Sequence, residues 1–406
     1  MNAARRAFGR VARVLDEWLV ERAFAERVYP ALSRVVHGRR TPRLPPAPAS
    51  VRSVLVWNVD SIGDSLWITP VLHALREGYS QAWITLACNR LPAALFRKNP
   101  NVDEIVALDG TRFWSARGWF RPVSELALQP DVLVILEMGS RPADRARLLG
   151  RELGACYVVS SRLGLLGHLA DHVLAPNDPA EYWPSYFLRA TDHLGLTRPE
   201  AKLEVFLDEE DFAAADALLE SFKKGDSPLV GLHPGVAGYA NATKKWPSAH
   251  FVELATELAA RERVRFVLTG SSDERTMLES LEHHIRERTN AETLVVAGAK
   301  LRALAALVRR LDLVVVGDTS VLHLAAAGDV PTLALFGATD PKRIAAPRPS
   351  CTAVTHDLAC RPCHENRDRL PFWPTCIYDR PECLYRIEPH SIAARALAIL
   401  ATKKPA

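Results

Sequence analysis

"SVLVWNVDSIGDSLWITPVLHALREGYSQAWITLAC", Ser53 to Cys88, is the stretch on which the fold turns. "SVLVWNV" is a short apolar run rich in β-branched residues, which reads as a buried strand. "AWITLAC" repeats that pattern, and an amphipathic segment near 66–78 lies between them. A strand, a helix and a second strand in this order join as a parallel βαβ unit. The alternation continues through a helix near 91–98, "EIVAL" and "DVLVILEM", then pauses in a polar, acidic stretch near 208–227. It restarts with "PLVGLHPG", a helix over 248–261, "RFVLTGS", a helix near 273–288 and "TLVVAG". A helix near 301–310, "DLVVVGD", a helix near 320–328 and "PTLALFG" complete it. The expectation is an α/β protein with two Rossmann-like domains facing a cleft, whose ligands sit beyond the carboxyl ends of the strands.

At 406 residues the chain exceeds the size at which a single core usually stops growing, which supports two domains. Residues 1–50 form a basic helical extension and a Pro-rich linker, with Phe8, Val11, Leu15 and Trp18 at helical spacing and four prolines in "TPRLPPAPAS". An N-terminal domain over 51–207, a C-terminal domain over 225–385 with a Cys-rich loop, and a closing helix and tail over 386–406 follow. The formal charge is +4, and the first 50 residues hold ten Arg against four acidic residues, so the basic excess lies in the arm. The body is therefore not a nucleic-acid binder. Two readings of residues 1–40 stand side by side: a helix resting on the inner face of a membrane, or one packed on its own body. No run of eighteen apolar residues and no signal-peptide pattern is present, so the expected location is cytoplasmic, with peripheral contact at the inner membrane under the first reading.

Three strand-to-helix turns carry candidate chemistry. In the first, Gly63 permits a sharp turn, and Asp64 lies near the first turn of the following helix. Asp64 is either a helix cap or, at the mouth of a cleft, a general base, and Asp60 looks interchangeable with it. In the second, "LHPGVAGYANATKKWP" ends a strand at His-Pro-Gly235, and Lys244 precedes a helix, where a point charge suits phosphate oxygens. Trp246 fixes this loop by packing. In the third, "VVVGDTSVLHLAAAG", the residues Asp318, Thr319 and His323 open a helix, where caps and an anion site are both readings. A G-x-G-x-x-G after the first strand and a P-loop are both missing, which excludes the common dinucleotide and NTPase signatures.

"SIGDSLWITPVLHALRE", "HPGVAGYANATKKWPSAHFVELATEL", "VLTGSSDE" and "VVGDTSVLHLAAAGDVPTLALFGATDP" stand in this order along the chain. Together they resemble glycosyltransferase family 9, the bacterial heptosyltransferases of lipopolysaccharide core assembly, over about residues 52–400. The resemblance implies the GT-B fold, in which the closing helix crosses back to the first domain. It also implies inverting transfer of a sugar, typically from ADP-heptose, to a lipid-linked glycan acceptor without metal or other cofactor. It assigns Asp64 as catalytic base, and Lys244, Glu274, Asp318, Thr319, His323 and Gly235 to the donor. Asn58, Asp60 and Gly63 fall on the acceptor side or support it. Two positions depart from the family pattern: Ser320 replaces a glycine and requires helical backbone there, and Asn58 stands where relatives usually have Lys or Arg. A transferase with another donor or acceptor, and a non-catalytic sugar-nucleotide-binding protein, are the alternatives.

Cys360, Cys363, Cys376 and Cys383 form C-x2-C-x12-C-x6-C. This spacing admits a structural zinc site of four thiolates, although the second pair lacks the tight knuckle spacing, and loop thiols are the other reading.

Overall fold

The computed structural model describes residues 43–108, 129–138, 143–144, 146–147, 149–150, 153–161, 166–176, 178–222, 226–236, 243–364 and 376–402. The basic extension lies outside the described residues up to position 42. Of the Pro-rich linker, Arg43 is tied to the first domain through Asp171 and the carbonyl of Cys156.

The first sheet comprises β1 (Ser53–Asn58), β2 (Trp83–Asn89), β3 (Glu104–Leu108), β4 (Val132–Ile135), β5 (Tyr157–Ser160) and β6 (His172–Val173). Its spatial order is β3-β2-β1-β4-β5-β6. The second comprises β7 (Leu229–His233), β8 (Arg265–Gly270), β9 (Thr293–Ala297), β10 (Leu313–Gly317), β11 (Thr332–Phe336) and β12 (Cys351–Thr355). Its order, β12-β11-β10-β7-β8-β9, is the same pattern read from the other edge. Every neighbouring pair is parallel. Each sheet therefore reverses direction at one point, between β1 and β4 and between β7 and β10, and the crevice there is where this topology binds ligands. The central strands are buried on both faces, which is why they read as continuous apolar runs.

The helix expected near 66–78 is α2 (Thr69–Gly78), and a separate short helix, α1 (Ile62–Leu66), precedes it. Pro70 explains the break: it lacks an N–H and is tolerated only in a first helical turn, so it opens α2. Next come α3 (Arg90–Phe96) and α4 (Trp183–Asp192). The acidic stretch after 207 is α5 (Glu209–Leu218), opened by a capping box in which Asp208 and Asp211 each accept from the other's backbone N–H. In the second domain stand α6 (Ser248–Arg261), α7 (Arg275–Arg288), α8 (Leu301–Val308) and α9 (Ser320–Ala327), close to the bounds their periodicity predicts. The short α10 (Pro341–Ile344) and α11 (Glu382–Tyr385) precede α12 (Pro389–Ala401).

The closing helix α12 packs within the second domain among the described residues, where a crossover to the first was expected. It packs on α6 and β10, because Ile392, Ala393, Ala396 and Leu400 share a core with Phe251, Leu254 and Leu258. The domains meet elsewhere: Leu66, Trp67 and Val71 of the first lie in one buried cluster with Val321, Leu322 and Leu324 of the second. α1 packs on α9, and α5 on α8. Arg302 of α8 ties α8 to the segment leading into α5 and to the end of α3, gripping Asp211 with two nitrogens and donating to the carbonyls of Arg97 at 2.8 Å and Phe206 at 2.9 Å.

Candidate active site

The turns singled out above all follow strands at the two reversal points. Asp64 follows β1, Gly235 follows β7, and Asp318, Thr319 and His323 follow β10. Contact between α1 and α9 brings the first group against the last.

Asp64 is not the helix cap. Ser61 occupies the N-cap position of α1 in extended backbone, and Asp64 sits in the first turn, where its Oδ2 accepts the Ser61 hydroxyl at 2.9 Å. Removal from water raises its pKa above the ordinary carboxylate value, and the negative Asp318 adds to the rise. The Ser61 hydroxyl and the Lys244 ammonium partly offset it. These mutual effects put Asp64, Asp318 and Lys244 within electrostatic reach of one another across the domain boundary. A carboxylate raised in this way is a stronger base than an exposed one.

Asp318 is not a cap either. Thr319 holds the N-cap position of α9, and its side chain caps nothing. The Asp318 carboxylate instead accepts from Lys244 Nζ at 2.6 Å and from the Thr339 hydroxyl at 2.9 Å. Burial opposes its charge, but Lys244, with help from His323 and Thr339, more than compensates and holds its pKa below the usual range. The Thr319 Oγ1 is buried with no hydrogen-bond partner among the described residues. An orphaned hydroxyl at the start of an eight-residue helix is an unmet demand that a bound anion or sugar oxygen would meet. Ser320 is the first residue of α9, so the backbone there is helical and the departure from glycine is accommodated.

His323 is 3% exposed, and burial depresses its pKa to about 4, so the ring is neutral at pH 7. Its Nδ1 accepts from Trp67 Nε1 at 3.3 Å, a bond between the two domains. The other edge of the ring faces Gly63, where a Cβ would lie 2.6 Å from His323 Cδ2. Glycine at 63 is thus required by the approach of the second domain. Gly235 answers the same kind of need, since a Cβ there would fall 2.3 Å from Glu274 Oε1. Glu274 closes a second capping box, accepting from the backbone N–H of Ser271 at 2.8 Å and from its hydroxyl at 3.0 Å. Glu274 and Gly235 stand together beyond the ends of β7 and β8.

Asp60 and Asn58 belong to the scaffold beneath Asp64. Asn58 is fully buried and donates through Nδ2 to the Leu136 carbonyl at 2.6 Å and to Asp60 Oδ2 at 3.2 Å. Asp60 Oδ2 also accepts the Met138 N–H at 3.1 Å, and Glu137 Oε1 accepts the Val59 N–H at 2.8 Å. This network clasps the ends of β1 and β4. Asp60 and Asp64 are therefore not interchangeable. Burial and the neighbouring Asp60 drive Glu137 well above the ordinary carboxylate pKa. A lysine or arginine at 58 would stand beside this acidic pair, whereas Asn58 gives Asp60 a hydrogen bond and donates otherwise to the Leu136 carbonyl.

Three site residues escaped the sequence reading. Trp67 occupies an ordinary apolar position of an amphipathic segment. Thr339 stands inside "FGATDP" without a distinguishing spacing. Glu137 ends the apolar run "DVLVILEM", and a carboxylate at a strand terminus was a signal that could have found it. Trp246 is 3% exposed, and its Nε1 donates to the Ile387 carbonyl at 3.0 Å, so it fixes its loop by packing. The four cysteines of the C-terminal loop form no disulfide, and among the described residues no group of three or more His, Cys, Asp or Glu is arranged to hold a metal. Among the described residues no helix is long and apolar enough to cross a membrane.

The family model described as Glycosyltransferase family 9 (heptosyltransferase) matches residues 156–373, a span that contains all the second-domain site residues named above. Lipopolysaccharide heptosyltransferase 1 of Pseudomonas aeruginosa is 32% identical over 217 residues, 50% of this chain and 54% of that protein, so that alignment spans about half the relative's length. Lipopolysaccharide heptosyltransferase 2 of Salmonella typhimurium is 30% identical over 312 residues, 71% of this chain and 83% of that protein. A solved family 9 glycosyl transferase from Veillonella parvula superposes with a TM-score of 0.73 at 19% identity, covering 90% of this chain and 100% of its own. That likeness concerns the two-domain GT-B fold alone.

Proposed function

Because the chain belongs to glycosyltransferase family 9, we propose that it moves a heptose from ADP-heptose to a lipopolysaccharide core acceptor, with Asp64 as general base. The observation that carries this reading is the meeting, across the domain contact, of one carboxylate raised by burial with a lysine, an orphaned threonine hydroxyl and a neutral histidine. The first group suits an acceptor hydroxyl, the second a diphosphate.

The reaction is a single displacement. Asp64 takes the proton of the acceptor hydroxyl as its oxygen bonds to the anomeric carbon. The bond from that carbon to the diphosphate breaks through an oxocarbenium-like state, and ADP leaves with the electron pair. Lys244, the Thr319 hydroxyl, the free N–H groups at the start of α9 and the His323 N–H stabilise the charge growing on the diphosphate. Asp318 holds Lys244 in place, and Glu274 beside Gly235 suits the ribose hydroxyls of the nucleotide. Apposition of α1 and α9 keeps water from the donor. The acceptor is lipid-linked, so the enzyme works at the inner face of the membrane, and the arginine-rich arm supplies charge suited to an anionic surface.

Thermal unfolding with a panel of sugar nucleotides tests the donor. A selective upward shift with ADP-heptose, followed by release of ADP when a heptose-deficient core oligosaccharide is added, is the expected result. A shift with UDP- or GDP-sugars and none with ADP-heptose rejects it.

A further inference from the structure

Trp67 and Trp183 form a stacked indole pair in the first domain, with ring centroids 5.9 Å apart and planes 11° from parallel. The second domain holds both ends of this pair. The Arg343 guanidinium lies over the Trp183 ring at 4.2 Å, and the His323 ring meets Trp67 edge-on at 5.3 Å with an interplanar angle of 90°. Trp67 and His323 are buried at 3% exposure each, and the indole Nε1 lies 3.3 Å from His323 Nδ1.

An indole nitrogen can only donate. The histidine nitrogen facing it must therefore be an acceptor, which leaves the single proton of the neutral ring on Nε2. That opposite edge points to Gly63 and the turn carrying Asp64, since a Cβ on Gly63 would lie 3.3 Å from Nε2. We propose that Trp67 is a positioning residue for the transfer reaction: its N–H, reaching across the domain boundary, fixes His323 as the Nε2–H tautomer, so that a neutral N–H donor faces the departing diphosphate. This deepens the donor-site reading given above and rests on it. The contact exists only where the acceptor domain is apposed to the donor domain, so the donor is oriented in the closed arrangement. The Trp183–Arg343 contact holds the indole in plane from behind, through stacking and a cation–π contact.

The test is the tautomer of His323, read by nitrogen NMR of the full chain labelled with [15N]histidine, with the His323 signals identified by their loss in His323→Gln. In the parent, Nε2 carries a protonated-type and Nδ1 an unprotonated-type shift between pH 6 and 8. Trp67→Phe keeps an aromatic ring on Trp183 and lacks the N–H. It is expected to give a mixture of tautomers and to lower kcat about 10-fold, the worth of one net hydrogen bond, with KM for the acceptor unchanged. Trp183→Phe keeps the Trp67 N–H and the parental tautomer, a split that simple packing would not produce. An Nδ1–H ring in the parent overturns the assignment even if Trp67→Phe does not fold. So does a parental tautomer in folded Trp67→Phe. Parental turnover in His323→Gln overturns the donor-site reading itself, whereas impaired His323→Gln turnover with an Nδ1–H ring overturns the positioning role alone.

Discussion

Gly63→Ala separates folding from domain apposition. Gly63 lies within α1, and its backbone is not among the positive-φ residues, so alanine there gains about 0.5–1 kcal/mol of helix propensity. The new Cβ, however, falls 2.6 Å from His323 Cδ2, where ordinary contact begins at 3.4 Å, so one side must yield by about 0.8 Å. The ring has little freedom to do so, because it is buried within α9 and bonded to Trp67. Overpacking of this kind costs about 1–3 kcal/mol. If that cost falls on the closed, reactive arrangement, kcat/KM drops roughly 5- to 150-fold. Calorimetry should find the unfolding midpoint unchanged or raised, while ADP release in the presence of acceptor slows by that factor. Parental kcat/KM would refute the claim that His323 presses on Gly63 in the reacting enzyme.

Lys244→Met removes a charged hydrogen bond worth about 1.5–3 kcal/mol to the donor diphosphate. Affinity for ADP by titration calorimetry should fall about 10- to 150-fold. It also strands the Asp318 carboxylate, so the unfolding midpoint falls, and the double variant Lys244→Met/Asp318→Asn recovers stability without recovering turnover. The acid limb of kcat/KM reports the Asp64 proton. Since burial and Asp318 raise its pKa above 3.8 while Lys244 lowers it, Asp318→Asn moves the limb to lower pH and Lys244→Met to higher pH. Glu137 binds its proton more tightly folded than unfolded, so its contribution to stability is full below 4.5 and declines as pH rises towards the folded value. Glu137→Gln should therefore raise the unfolding midpoint at pH 8 and have little effect near pH 4.

The central strands at both reversal points were legible because they are unbroken apolar runs and the turns after them carry glycine and aspartate. Three strands were not: β5 has four residues, β6 spans two, and β12 is half-exposed with Thr at its second and last positions, whereas the edge strands β3 and β9 did stand out as apolar runs. Helix α5 read as a polar stretch because its fully buried residues are Ala215 and the capping Asp211 alone, while Phe212 and Leu218 are half-buried. The roles of Asp60 and Asp64 could not be separated within one turn, since the difference between them lies in Met138 and Asn58 on one side and Lys244 and Asp318 on the other. These partners come from other strands and from the other domain. Asn58 looked like a missing cation for the same reason: its partner, the Leu136 carbonyl, is 78 residues away. Trp67 was hidden because an interdomain hydrogen bond leaves no periodic trace.

The most direct test of the central claim is Asp64→Asn, which keeps the size of the side chain and its hydrogen bond to Ser61 while removing the base. Transfer from ADP-heptose to a core acceptor should fall about 10²- to 10⁴-fold with ADP affinity close to parental. Transfer at the parental rate by the folded variant would contradict the account.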